Sequence, residues 1–189
     1  MWRNSAKGYG LIQIVLHWSM AGIVAVMLPL GLWMTGLDYY DPWYTRAPDL
    51  HRAIGVLFGL MLLARWAWRL TQVQPTVHAA TSRDQTVATL VHRLLYFIPL
   101  CLIISGYLIS TADGRAVEVF GWFSLPATLQ GIDGQADIAG DIHFFLAMAL
   151  LAVIVLHVLG ALRHHFVYRD DTLRRMLRPQ ISPKPVKEQ

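Results

Sequence analysis

Residues His143 to His157 read HFFLAMALLAVIVLH. Everything between the two imidazoles is apolar. Such a run belongs in a lipid bilayer or a deep core, where histidine is costly unless something holds it. The chain as a whole decides for the bilayer. Of its 189 residues 55% are hydrophobic and only 15% charged, and the mean hydropathy is +0.42, which leaves little for a hydrated surface. The apolar residues fall into four blocks, Ile14 to Met34, Ala53 to Leu70, Ala88 to Ser110 and His143 to Phe166. Each approaches or exceeds the length of about 20 residues that spans a bilayer. Backbone groups in hydrocarbon must be satisfied internally, and the blocks lack the alternation of barrel strands, so they are expected to be helices. The expected fold is therefore all-α, a four-helix transmembrane bundle.

Arg3 and Lys7 precede the first block and give it the look of a signal peptide. The block is longer than a signal's apolar core, no small-x-small site closes it, and it ends in LDYYDPWY, a segment suited to a membrane interface. A retained first helix is expected. With the N-terminus inside, the inner side and its helix ends carry Arg3, Lys7, Arg65, Arg69, Arg83, Arg93, Arg163, Arg169, Arg174, Arg175, Arg178, Lys184 and Lys187, and the outer side keeps Arg46, Arg52 and Arg115. That bias predicts a multi-pass membrane protein with both termini on the cytoplasmic side. The net charge of +4 reflects this basic face and implies lipid as neighbour, with no nucleic-acid partner. Residues 1–178 read as one domain and 179–189 as a disordered tail. The outer loop at Asp38 to Leu50 contains two prolines and is expected to turn without continuing a helix. The outer loop at Thr111 to Asp141 has room for a short surface helix or a cap. A short basic helix, capped by Asp171 or Thr172, is expected on the inner leaflet. The one cysteine, Cys101, excludes an internal disulfide and covalent haem attachment through C-x-x-C-H.

Four histidines form a pattern. His17 lies near the inner end of the first helix, and His51 and His143 open the second and fourth at the outer side. His157 follows His143 by fourteen residues, close to four turns, so the two face the same way about 21 Å apart. The depths pair His17 with His157 and His51 with His143. Two imidazoles facing across a bundle can bind a b-type haem axially without a covalent link. The residue one turn after each is small (Ala21, Gly55, Ala147, Ala161), which leaves room for a porphyrin, although membrane helices favour small residues anyway. The plain alternative for any single histidine is an interfacial side chain; four at matched depths favour two haems. A shared zinc or copper site needs ligands within a few ångströms of each other, which the spacing denies. His78, in the inner loop, is expected to be solvated. Arg65 follows His51 by fourteen residues and sits at the level of the inner haem's propionates, or is a snorkelling cation. Arg52 has the same two readings at the outer level. His92, followed one turn later by Tyr96, is expected not to bind iron.

With these residues in place the chain resembles the bacterial cytochrome b561 family over roughly Tyr9 to Met176. The matching pieces are LHW at His17, LHRAIG and ARWAWR in the second helix, VHRLLY through SGYLISTADG in the third, and IHFFLAMALLAVIVLHVLGALRHHFVYRDDTLRRM at the end. The resemblance implies two non-covalent, bis-histidine haem b groups on His17, His51, His143 and His157. It also implies a place in the bacterial cytoplasmic (inner) membrane and electron transfer between a periplasmic redox partner and the quinone pool. Ubiquinone is the expected electron partner. Arg163, His164 and His165 are the candidate quinone residues, with His164 on the haem side by helical phase; the plain reading of this segment is a basic stop at the membrane edge. The enzymatic alternative is a superoxide:ubiquinone oxidoreductase. Eight acidic residues in the outer loops oppose it, because they repel an anionic substrate. A histidine-based metal transporter is the remaining alternative.

Overall fold

The computed structural model describes residues 2–75 and 81–179. His78 and the tail beyond residue 179 lie outside them. Four long helices dominate: α1 (Leu11–Met34), α2 (Arg46–Leu70), α3 (Ser82–Thr111) and α4 (Gln135–Arg163). All four are long and apolar enough to cross a membrane. Large apolar side chains point outward along them, among them Val26, Leu60, Leu63, Phe97, Ile104, Phe145 and Leu156. In water such a surface would drive association, whereas in a bilayer it is the solvated face.

Each helix begins before its most apolar stretch, so His51 and His143 lie one to two turns inside α2 and α4 rather than at their first residues. Pro48 belongs to the first turn of α2. The expectation that the prolines of this loop turn without helix holds only as far as Tyr44, because a first-turn proline loses no helical hydrogen bond. At the start of α1, Gly10 is required by close approach. A Cβ there would lie 2.4 Å from the Trp2 carbonyl oxygen, and the Gly10 N–H instead donates to Asn4 Oδ1 at 2.8 Å. Thr81 caps α3 by accepting from the Asp84 N–H at 3.1 Å.

The long loop between α3 and α4 carries no helix. It forms an antiparallel hairpin of β1 (Val117–Val119) and β2 (Phe123–Leu125). The hairpin loop is the three residues Phe120 to Trp122; Phe120 and Gly121, both at positive φ, are the central residues of a β-turn closed by the Trp122 N–H on Val119 O at 2.9 Å. Val117 and Val119 are buried and pack β1 against α2, so the loop is the cap that was expected, built from strands. It is tied to the end of α3. The Thr111 hydroxyl donates to Tyr107 O, Gln135 Nε2 donates to Leu108 O at 2.9 Å, and the Tyr107 hydroxyl donates to Pro126 O at 2.7 Å.

At the opposite, basic end α4 passes into a π-helical turn, His164–Tyr168, followed by Arg169 at positive φ and the short α5 (Thr172–Leu177). α5 is the basic helix expected from the sequence. Asp171, one of the two expected cap residues, is its N-cap but makes no side-chain cap bond; the first N–H of the helix is accepted instead by Asp170 Oδ1 at 2.9 Å. The Trp18 indole donates to Met176 O at 2.7 Å and ties α5 to α1.

Two apolar clusters fill the bundle between its ends. Met20, Phe58 and Leu62 pack with Ile23, Met61 and Ile103. Val91, Ile98, Leu150 and Val153 join α3 to α4.

Candidate functional site

The bundle brings the four histidines together in the two pairs that their depths predict. His17 of α1 and His157 of α4 have ring centroids 6.2 Å apart at the basic end. His51 of α2 and His143 of α4 also stand 6.2 Å apart, at the hairpin end. Two metal–imidazole bonds of about 2 Å each, plus the distance from each nitrogen to its ring centre, fill that gap with one metal ion. Two hydrogen-bonded imidazoles would sit closer or would show the bond; neither pair does.

The surroundings differ between the levels. At the hairpin end a glycine from a neighbouring helix faces each ring. A Cβ on Gly31 of α1 would lie 3.2 Å from His51 Cε1, and a Cβ on Gly106 of α3 would lie 3.2 Å from His143 Cε1. The Ser105 hydroxyl is 3.0 Å from His143 Nδ1. His51 Nδ1 is buried without a hydrogen-bond partner among the described residues, as befits a ring whose environment is arranged around a further group. The spacing of the sequence pointed to Gly55 and Ala147 on the ligands' own helices. The glycines that meet the rings come from across the bundle, and no periodicity within one helix could have indicated them.

At the basic end Arg65 of α2 reaches the pair, with Nη2 3.3 Å from His17 Nδ1. Arginine can only donate, so Nδ1 accepts in this contact and the proton lies on Nε2; a metal at Nε2 would require the other tautomer, with Arg65 turned to another partner. Arg65 and Arg69 both lie against the Tyr96 ring, at 5.6 and 5.7 Å from its centroid. His92 of α3 joins this level with its ring centroid 5.2 Å from that of His157. The sequence puts His92 at this depth with no free partner; the structure sets its ring against that of His157, which is already paired with His17. Its Nδ1–H donates to Ala88 O at 2.7 Å.

The other expected residues are placed apart. Arg52 pairs with Asp49 one turn earlier on α2, and Arg115 pairs with Asp113. Both arginines line an open cleft of about 510 Å³ with Met34, Tyr44, Thr45, Pro48 and Asp49. Arg163 pairs with Asp84 of α3 at 3.1 Å and lies over the Tyr168 ring. The His164 ring donates from Nδ1 to Asp170 Oδ2 at 2.6 Å, and His165 packs on Phe166. The π turn starts at His164. A 3.6-residue phase carried past that residue therefore does not describe His165, and His164 is committed to the surface turn by Asp170. Burial raises the Asp170 carboxyl, but hydrogen bonds from His164 and Thr172 outweigh it and hold the group at about 2. Among the described residues no group of three or more His, Cys, Asp or Glu side chains is arranged to hold a metal ion by itself.

Residues 8–179 match the family model of the prokaryotic cytochrome b561. The chain belongs to that family. It is 46% identical over 175 residues to cytochrome b561 homolog 2 of Escherichia coli (strain K12), covering 92% of this chain and 93% of that protein. It is 28% identical to a probable superoxide oxidase CybB of Yersinia pestis, over 90% of this chain and 96% of the other. It is 27% identical to cytochrome b562 of Cereibacter sphaeroides, over 92% and 97%. A cytochrome b561 is a membrane electron-transport protein that binds haem b, and the four apolar helices and the paired imidazoles suit that group. Membership sets aside the metal-transporter reading.

Proposed function

We propose that this cytochrome b561 holds two haem b groups and passes electrons between a periplasmic redox partner and the quinone pool. The observation that carries the reading is the matched 6.2 Å separation of the two histidine pairs. His51 and His143 would hold the outer haem, and His17 and His157 the inner one. Each bound haem supplies a one-electron centre. The chain's own residues do the rest. α4 sets the two levels fourteen residues apart, about 21 Å along its axis, and the apolar clusters between them exclude water. Arg65 is the cation at the inner level, and its proposed partner in the loaded protein is a haem propionate. Arg52 is the corresponding cation at the outer level.

The distribution of arginine and lysine supports an inner-membrane protein with both termini in the cytoplasm. Quinone reduction takes two protons as well as two electrons, so the site needs groups that transfer protons near lipid. Arg163, His164 and His165 at the basic end are the proposed residues, with ubiquinone as the acceptor.

The decisive measurement is haem quantitation with reduced-minus-oxidised spectra on single-ligand variants. His51→Ala and His143→Ala should lose one and the same haem, and His17→Ala and His157→Ala the other. Loss of the same haem from His51→Ala and His157→Ala would break the pairing.

A second reading, superoxide oxidation coupled to ubiquinone reduction, draws on the name of the Yersinia pestis relative and on the cleft shared by Arg52 and Arg115. Both guanidinium groups are paired with carboxylates, which lowers the attraction for an anion and favours the electron-carrier reading. Superoxide-dependent quinone reduction by the purified protein separates the two.

A further inference from the structure

The two outer imidazoles sit in similar seats with one chemical difference. Ser105 Oγ lies 3.1 Å from the Leu102 carbonyl oxygen and 3.0 Å from His143 Nδ1. A carbonyl has no proton to give, so the hydroxyl donates to Leu102. Its lone pair then accepts the proton on His143 Nδ1, which the Leu102 carbonyl oxygen also faces. This selects the tautomer in which Nε2 keeps its lone pair, the form that binds iron. Ser105 is 4% exposed and belongs to α3, so it holds the ring from outside the helix that carries it. The adjacent Gly106 supports the same ring, with its Cβ position 3.2 Å from Cε1 and 3.5 Å from Nδ1. His51 has the glycine support, from Gly31, and no acceptor. Its Nδ1 is buried and without a hydrogen-bond partner among the described residues.

We propose that Ser105 is a positioning residue for the outer haem: it orients His143 through Nδ1 and makes it the more basic of the two outer ligands. The inference rests on the reading of His143 as a ligand. An acceptor at Nδ1 moves electron density toward Nε2, and a more basic ligand favours the ferric over the ferrous state. Ser105 thereby lowers the reduction potential of the outer haem. The inner haem has no corresponding hydroxyl contact at His17, where Nδ1 faces a cation instead.

The test is a redox titration of the purified two-haem protein in lipid nanodiscs, with the outer haem identified as the one missing from His143→Ala. Ser105→Ala should raise the outer-haem potential by up to about tenfold in its reduction constant, about 59 mV for one electron, and leave the inner one in place. Ser105→Thr, which restores the hydroxyl, should return the potential toward its original value. An unmoved outer potential, an equal shift of both haems, or a Thr variant that stays with Ala overturns the proposal. If Ser105→Ala loses the outer haem, Ser105→Cys provides the reading. Its volume is close to that of serine and its sulfur accepts more weakly, so a smaller shift of the same sign supports the role and no shift overturns it. The two failures are distinguishable. A His143→Ala protein that retains both haems removes the ligand assignment, whereas a silent Ser105→Ala beside a haem-deficient His143→Ala removes only the role of Ser105.

Discussion

Gly106 and Gly22 show how much a single Cβ matters here. Both are helical glycines in an apolar setting, yet a Cβ at Gly22 meets nothing within 4 Å, while one at Gly106 meets His143 Cε1 at 3.2 Å. The ring can yield a few tenths of an ångström for one methyl only by tilting away from the orientation in which it faces His51. Gly106→Val, with a branched side chain, is therefore expected to abolish outer-haem binding, whereas Gly22→Ala keeps both haems. Haem-to-protein ratios of the two purified variants check this. His92 supports a second expectation. Its centroid is 5.2 Å from that of His157, closer than the 6.2 Å of either proposed ligand pair, and its Nδ1–H is committed to Ala88 O. His92→Ala should retain two haems, and a haem count of one would make it a ligand. The sequence distinguished His92 from the four by its neighbour Tyr96. It placed both His92 and His157 at the inner level but could not reveal that their rings meet, because that depends on how α3 is rotated against α4.

The π turn after α4 is the element with the most local chemistry at the basic end. Asp170 accepts from His164 at 2.6 Å and from the Thr172 N–H at 2.9 Å, so one carboxylate both closes the turn and caps α5. Its folded-state value of about 2 lies below the ordinary 3.8. A depressed carboxylate stabilises the folded form fully above the ordinary value, and the contribution is lost as pH falls through 3.8 toward 2. Asp170→Asn is expected to cost about 1–2 kcal/mol at neutral pH. The variant should melt at a lower temperature than the parent at pH 7, and the gap should narrow as the pH falls below 4. Thermal melts followed by haem absorbance at several pH values measure it. The sequence allowed a short basic helix here with Asp171 as a cap candidate, but not the Asp170 carboxylate that takes its first N–H, because the π turn that presents it has no α-helical phase to read.

The bundle as a whole has one basic and one acidic end, and that asymmetry predicts its orientation. The proposed topology places residue 189 in the cytoplasm, so a C-terminal green fluorescent protein fusion should fluoresce and an alkaline phosphatase fusion at the same point should be inactive. The reverse pattern would move the hairpin end to the cytoplasm and exchange the two haem levels. The hairpin itself closes one end of the bundle over α2, with Val119 fully buried beneath it. Under the proposed topology the hairpin end, where Arg115 shares a cleft with Arg52, faces the periplasm and is the proposed meeting surface for a redox partner.

The number of helices, their membrane character, the family and the depths of the four histidines were legible in one dimension. Hydropathy blocks are local, and a fourteen-residue spacing within α4 converts directly to turns and ångströms. The rest required contacts between helices. Gly31, Gly106 and Ser105 meet the imidazoles only because α1 and α3 turn those residues toward α2 and α4, and Arg65 reaches His17 across a helix boundary. Rotation of one apolar helix against another is set by side-chain packing along its whole length. With apolar residues on every face of these helices, the sequence pattern leaves that rotation open.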